Sequence, residues 1–82
     1  MTDEKFKKQF YEPFLETWKI LRLVQYADQT SDSDAQWQRY VSEIDRLSAT
    51  YPNDPFVDKL IRFLYDAGDV IAKENQKENK HV

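Results

Sequence analysis

Cysteine is missing from this chain of 82 residues, glycine and histidine occur once each, and proline occurs three times. Without cysteine there can be no disulfide framework, thiolate metal site or cysteine nucleophile. A single glycine excludes a glycine-rich phosphate loop. The lone histidine, His81, stands next to the last residue and beyond any apolar segment. A general base there would lack an orienting partner, so His81 reads as a solvated tail residue. No cofactor or metal site is expected, and the protein reads as a non-enzyme. Long apolar runs are also lacking: none approaches the ~20 residues that span a bilayer. The stretch Met1-Thr2-Asp3-Glu4-Lys5 has no apolar core of the secretory type, so neither membrane insertion nor export is expected.

Charge of one sign is lacking as well. Twelve Lys and Arg face fifteen Asp and Glu, a net charge of −3. Residues 1–27 carry +1, residues 28–54 carry −4, and residues 55–82 balance. Nucleic-acid binding is not expected, because a weakly basic first third beside an acidic middle makes no phosphate-tracking stripe. Present in quantity are aromatic rings, 15% of the chain, which demand burial and argue for a folded domain.

Glycine and proline positions partition the sequence. Thr2 is placed to cap a first helix that opens with Asp3 and Glu4. At 100° per residue, Phe6, Phe10, Phe14, Thr17, Leu21 and Val24 share one sector, with Trp18 on its margin. Pro13 predicts a kink or break near Glu12, giving either one bent helix or two helices over 3–11 and 13–28. The polar run 28–34 reads as a loop, and Ser33 with Gln36 as a capping box for the next helix. Trp37, Tyr40, Val41, Ile44, Leu47 and Tyr51 repeat at steps of three and four, the cleanest amphipathic pattern in the chain. Asp54 reads as the N-cap and Pro55 as the first residue of a further helix. That helix carries Phe56, Val57, Leu60, Phe63, Leu64, Ala67, Val70 and Ile71. The fold expected is an all-α bundle of three helices, four if Pro13 breaks the first, with no sheet. It forms one domain over 1–74, followed by a polar tail over 75–82.

Carboxylates offer little chemistry. Asp66 and Asp69 share a helix face, but Arg62 and Lys73 are spaced to pair with them, which predicts a mutually neutralised surface. Asp32, Asp34, Gln36 and Glu43 superficially match a calcium loop, yet Trp37 occupies the position that needs glycine for its sharp turn.

More informative is surplus apolar surface. Tyr11, Leu15 and Tyr26 lie away from the main stripe of the first helix. Ile61, Tyr65, Gly68 and Ala72 form a second line on the last. Gly68 in mid-helix costs ~1 kcal/mol against Ala, which predicts a close backbone approach there. Three readings fit these lines: a wide core, a homodimer matching last helix to last helix around Gly68, or a surface for a different protein.

Several short stretches resemble known proteins. Phe10-Tyr11-Glu12-Pro13-Phe14, the Trp37/Tyr40 helix, and Tyr51-Pro52-Asn53-Asp54-Pro55-Phe56 with Phe63-Leu64 resemble small helical proteins of phages and prophages in Gram-positive bacteria. That resemblance implies a cytoplasmic accessory protein, in a bacterial or phage-infected cell, that binds a host or phage factor. Residues 56–65 look like a helix of the pediocin-type bacteriocin immunity proteins, four-helix bundles; this implies the alternative of protecting a producer cell. Leu47 to Asp69 is similar to a tetratricopeptide helix junction, but one partial match cannot build a solenoid. The expected function is a protein-interaction module that presents Tyr11, Leu15, Tyr26, Ile61, Tyr65 and Gly68 to a protein partner or to a second copy.

Overall fold

A computed structural model describes residues 1–29 and 31–79; His81 and the end of the expected tail lie outside them. The described residues form three helices and no strand. The first run, 3–22, is unbroken: an α turn Asp3–Phe6, a π turn Lys7–Tyr11, and an α-helix Glu12–Arg22. The middle helix is Ser33–Thr50 and the third is Pro55–Asn79.

Pro13 explains the π turn. Proline supplies no N–H, and in a regular α turn its ring collides with the carbonyl four residues earlier, here that of Gln9. Widening the turn ahead of the ring relieves that collision, and the Glu12 N–H reaches the Lys7 carbonyl five residues back. The chain therefore neither breaks nor splits at Pro13. The ring is buried, and the Pro13 carbonyl accepts the buried Thr17 hydroxyl at 2.8 Å. After Arg22 the backbone tightens into i→i−3 bonds, Leu23 to Ile20, Val24 to Leu21, Gln25 to Arg22, Ala27 to Val24 and Gln29 to Tyr26. Asp28 closes the run in the left-handed region at φ 68°, which Asp tolerates better than most residues.

Two of the expected caps form. Thr2 Oγ1 accepts the Lys5 N–H at 3.2 Å, and Asp54 Oδ1 accepts the N–H groups of Phe56 and Val57 at 3.0 and 3.2 Å. The Ser33 capping box does not. Ser33 Oγ instead donates to Asp28 Oδ1 at 2.7 Å and accepts the Asp28 N–H at 2.9 Å. A charge-assisted bond to a carboxylate outcompetes a neutral cap. The indole Nε1 of Trp37 donates to the same carboxylate oxygen at 3.3 Å, fastening the loop to the first turns of the middle helix.

Contacts at both ends fix the topology. The Phe10 ring meets the Phe56 ring edge-on at 4.9 Å. At the other end the Asn75 amide donates to the carbonyls of Ala27 (2.6 Å), Gln25 (3.3 Å) and Val24 (3.5 Å). The first and third helices thus run parallel, with the middle helix antiparallel to both. Asn75, first residue of the expected polar tail, is buried, and the helix continues through Asn79.

The core is drawn from all three helices: Ile20, Val24 and Ala27; Tyr40, Ile44 and Leu47; Val57, Leu60 and Leu64. On the first helix the buried line is Pro13, Thr17, Ile20, Val24, Ala27, not the expected line through Phe6, Phe10 and Phe14. Steps alternating four and three hold a straight seam, whereas steps of four drift by 40° each. At the centre the buried Tyr40 hydroxyl donates to the Leu64 carbonyl. Gly68 is also buried there: a Cβ would stand 3.3 Å from Tyr40 Cε2 and 3.5 Å from Trp37 Cζ3. The close approach expected at Gly68 is made by the chain's own middle helix.

Substitutions at three positions test these contacts. Tyr40→Phe leaves the Leu64 carbonyl without its extra donor and lowers unfolding free energy by about 1–2 kcal/mol in urea titrations at neutral pH. Burial, with Tyr65 and Asp69 nearby, pushes the Tyr40 phenol up to about 12 from 10.0. A raised folded-state value means that this contribution is intact below pH ~10 and is lost as pH rises through ~12. Wild type should therefore lose stability over that window more steeply than Tyr40→Phe, and parallel slopes would show that the phenol is not held as described. Asn75→Asp replaces a donor by a carboxylate facing three carbonyl oxygens. It should melt lower than Asn75→Ala at neutral pH and recover in acid, as protonation restores a donor; equal melting temperatures would contradict the assigned hydrogen bonds. Gly68→Ala, worth about +1 kcal/mol on an open helix, should bring no gain in melting temperature because the Tyr40 ring is pinned.

Candidate functional site

Three helices in a bundle have three seams. The seam between the first and middle helices is closed by Ile20 and Leu47, and that between the middle and third by Tyr40, Leu64 and Gly68. The seam between the parallel first and third helices is covered on its inner side only. Its outer side forms a cleft of about 510 Å³ with Trp18, Leu21, Val70 and Ile71 among its walls and Arg22 and Glu74 at its margin.

The six residues expected at an interface divide. Tyr11, Tyr26 and Tyr65 are exposed, and Leu15 is half-buried. Ile61 is half-buried against the core, and Gly68 is buried under Tyr40 and Trp37. The line Ile61, Tyr65, Gly68, Ala72 faces the middle helix: Tyr65, Gly68 and Ala72 border a shallow cleft with Trp37, Tyr40 and Val41. Gly68 is therefore unavailable to a second copy without displacing those rings. Tyr11 and Tyr26 lie on the first helix and in the loop after it, and the structure does not join them to Tyr65 in one patch.

A different set of apolar residues does cluster. Trp18 (54% exposed) on the first helix and Val70 (61%) on the third line the open cleft; Phe14 (58%) and Phe63 (49%) stand on the same flanks of their helices, and Phe6 (57%) continues the row beyond the start of the third helix. Phe10 lies between Phe6 and Phe56, with ring centroids 5.2 and 4.9 Å away. A large aromatic side chain presents ~200 Å², so half-exposure of these residues leaves roughly 500 Å² of apolar surface on one face. That is at the upper end of the ~300–600 Å² that the largest patch of a monomer usually shows. The chain as a whole exposes 6268 Å², against about 5,200 Å² expected for a compact monomer of this mass. Its extents of 52 × 20 × 16 Å show why: the fold is a rod with little interior.

Sequence reasoning placed Phe6, Phe14, Phe63 and Val70 in the core. The spacing carried a signal against part of that. On the first helix Phe6, Phe10, Phe14 and Trp18 recur strictly every four residues and so form a row beside the alternating buried line, whereas on the third helix Phe56, Phe63 and Val70 share the seven-residue repeat of buried Val57 and Leu64 and carry no such signal.

The rim of this face is basic. Arg22 lies one turn after Trp18, Lys59 one turn before Phe63, and Lys73 borders Val70 with Lys77. Arg22, Lys59 and Lys73 make no ion pair among the described residues, whereas Lys77 bridges Glu74 at 3.5 Å. Among the described side chains the acids on this side are Asp66 and Glu74. The expected pairs Arg62–Asp66 and Asp69–Lys73 are absent from the ion pairs of the described residues, which are Lys8–Glu4, Lys19–Glu16, Arg46–Glu43 and Lys77–Glu74. Among the described residues no three His, Cys, Asp or Glu side chains converge to hold a metal ion, and no helix is long and apolar enough to cross a membrane. Away from the strip, burial, with Glu12, Glu16 and Asp54 nearby, raises the Tyr51 phenol above its usual range. A face of this kind can bind by desolvating rings and pairing cations. Comparison with known proteins finds no matching family, no similar curated protein and no similar solved structure.

Proposed function

We propose that the protein is a non-enzymatic interaction module that works by docking its open first–third seam against a protein surface. The supporting observation is the apolar strip of four aromatic residues, Phe6, Phe14, Trp18 and Phe63, with Val70, about half exposed along one face of a rod. Leaving such rings in water costs roughly 25 cal/mol per Å², and a partner that covers them recovers that cost. Trp and Arg, both on this face, are the residue types that dominate binding energy at interfaces. The short-motif resemblance to phage and prophage proteins supports an accessory role in a bacterial cell. The immunity alternative implies a four-helix bundle and gains no support from three helices. Occupancy by a second copy uses the same surface and belongs to the same proposal.

Photo-cross-linking in the producing cell tests this. A benzoyl-phenylalanine at position 18 should yield a discrete adduct, with another protein or with a second copy. The same probe at Asp45, on the outward face of the middle helix, should not. Equal patterns from the two positions, or no adduct at position 18, would refute the proposal.

A further inference from the structure

The open seam has a shape and a charge that together specify what covers it. Its walls are two parallel helices, and between the level of Phe56 and that of Asn75 it runs for about 28 Å at 1.5 Å per residue. The chain's own middle helix, 18 residues from Ser33 to Thr50, has the matching length and lies on the opposite side of the same pair of helices. A helix laid in the open side would stand to the first and third helices as the middle helix does, and would complete a four-helix arrangement. The cleft beside Trp18 and Val70, about 510 Å³, accommodates the large apolar side chains that such a helix presents at i, i+3 or i+4, and i+7.

Charge selects among occupants. Although the chain carries −3 overall, the rim of the strip holds Arg22, Lys59 and Lys73, which make no ion pair among the described residues, plus Lys77, against Asp66 and Glu74 among the described side chains. A second copy would set this basic rim against itself. A flat lipid surface would leave the floor of a concave cleft unfilled. Resting on the interaction-module reading, we infer that the seam receives a single amphipathic α-helix of a partner protein, with a bulky apolar face and acidic residues on its flanks. Its leucine-type side chains fill the cleft between Trp18 and Val70, and its carboxylates meet Arg22, Lys59 and Lys73.

The test uses the full chain and two synthetic helices matched in length to the middle helix, with identical leucine faces and either glutamate or lysine flanks. Fluorescence anisotropy should show the glutamate peptide binding about tenfold more tightly than its lysine twin, with the difference shrinking as salt rises. Trp18→Ala and Val70→Glu, both at exposed positions, should abolish binding without changing the far-ultraviolet circular dichroism. Lys59→Glu combined with Lys73→Glu should reverse the preference between the two peptides. Equal or tighter binding of the lysine peptide to wild type overturns the inference, as does binding that survives Val70→Glu. Concentration-dependent dimerisation in sedimentation, lost in Val70→Glu, would overturn it in favour of a second copy while leaving the interaction-module proposal standing. Co-sedimentation with phosphatidylglycerol vesicles, lost in the same variant, would overturn both. Failure of both peptides to bind, with an adduct still formed at position 18 in cells, would overturn the acidic-helix assignment alone.

Discussion

The side-chain amide of Asn75 is the contact on which the arrangement of the bundle depends. At the end of the first helix the backbone tightens and turns; the Val24 carbonyl accepts the Ala27 N–H at 3.1 Å, and the Asn75 amide reaches it together with the carbonyls of Gln25 and Ala27. Ala27 and Val24 are fully buried, so water is no substitute. Asn75, five turns into the third helix, brings its two N–H donors to these oxygens and so fixes the axial register of the third helix against the first. One residue further along, Asp28 gathers Ser33 and Trp37 of the middle helix. Two adjacent residues thus tie one end of the first helix to both of its neighbours. The opposite end is held more lightly, by the Phe10–Phe56 rings and the cap at Asp54.

This division of labour explains how so slender a fold holds together. Its nine apolar core residues come from every helix, and the buried hydrogen bond from Tyr40 to Leu64 joins the two helices that Gly68 allows to approach closely. Each of these devices serves the middle helix or the corner beside it. None covers the outer side of the first–third seam. The exposed rings there follow from the count of helices: two parallel neighbours present two flanks, and only one flank has a helix to receive it.

Much of this was legible in the sequence, for identifiable reasons. Asp54-Pro55 and Thr2 are local signals whose chemistry operates within a few residues, and they form as read. Of the line expected on the middle helix, Tyr40, Ile44 and Leu47 are buried and Trp37 and Tyr51 half-buried, whereas Val41 is exposed. The cap at Ser33 failed to form because the competitor, Asp28, sits five residues upstream in a conformation that no local pattern announces. Asn75 looked like tail because its partners are some fifty residues away. On the candidate surface, the prominence of apolar residues beyond the needs of the core was readable. Their identity was readable only in part: the strict four-residue spacing set Phe14 apart from Ile20, but nothing in the spacing set Phe63 apart from Leu60. Gly68 announced a close approach without naming which helix would make it.

The π turn bears on how the aromatic row came to lie straight. A turn closed by i→i−5 bonds holds about one residue more than an α turn, so everything before it is rotated by about 100° relative to an ideal helix. That rotation swings Phe6 away from the buried sector and onto the flank shared by Phe14 and Trp18. Winding the same residues as an ordinary α turn would point Phe6 toward the buried sector, whereas deleting one residue between Lys7 and Tyr11 would remove the wide turn and keep Phe6 on its present flank. The prolyl ring at position 13 thus acts as a spacer that sets the phase of the amino-terminal arm, and chain length in that short stretch is as much a determinant of surface shape as residue type.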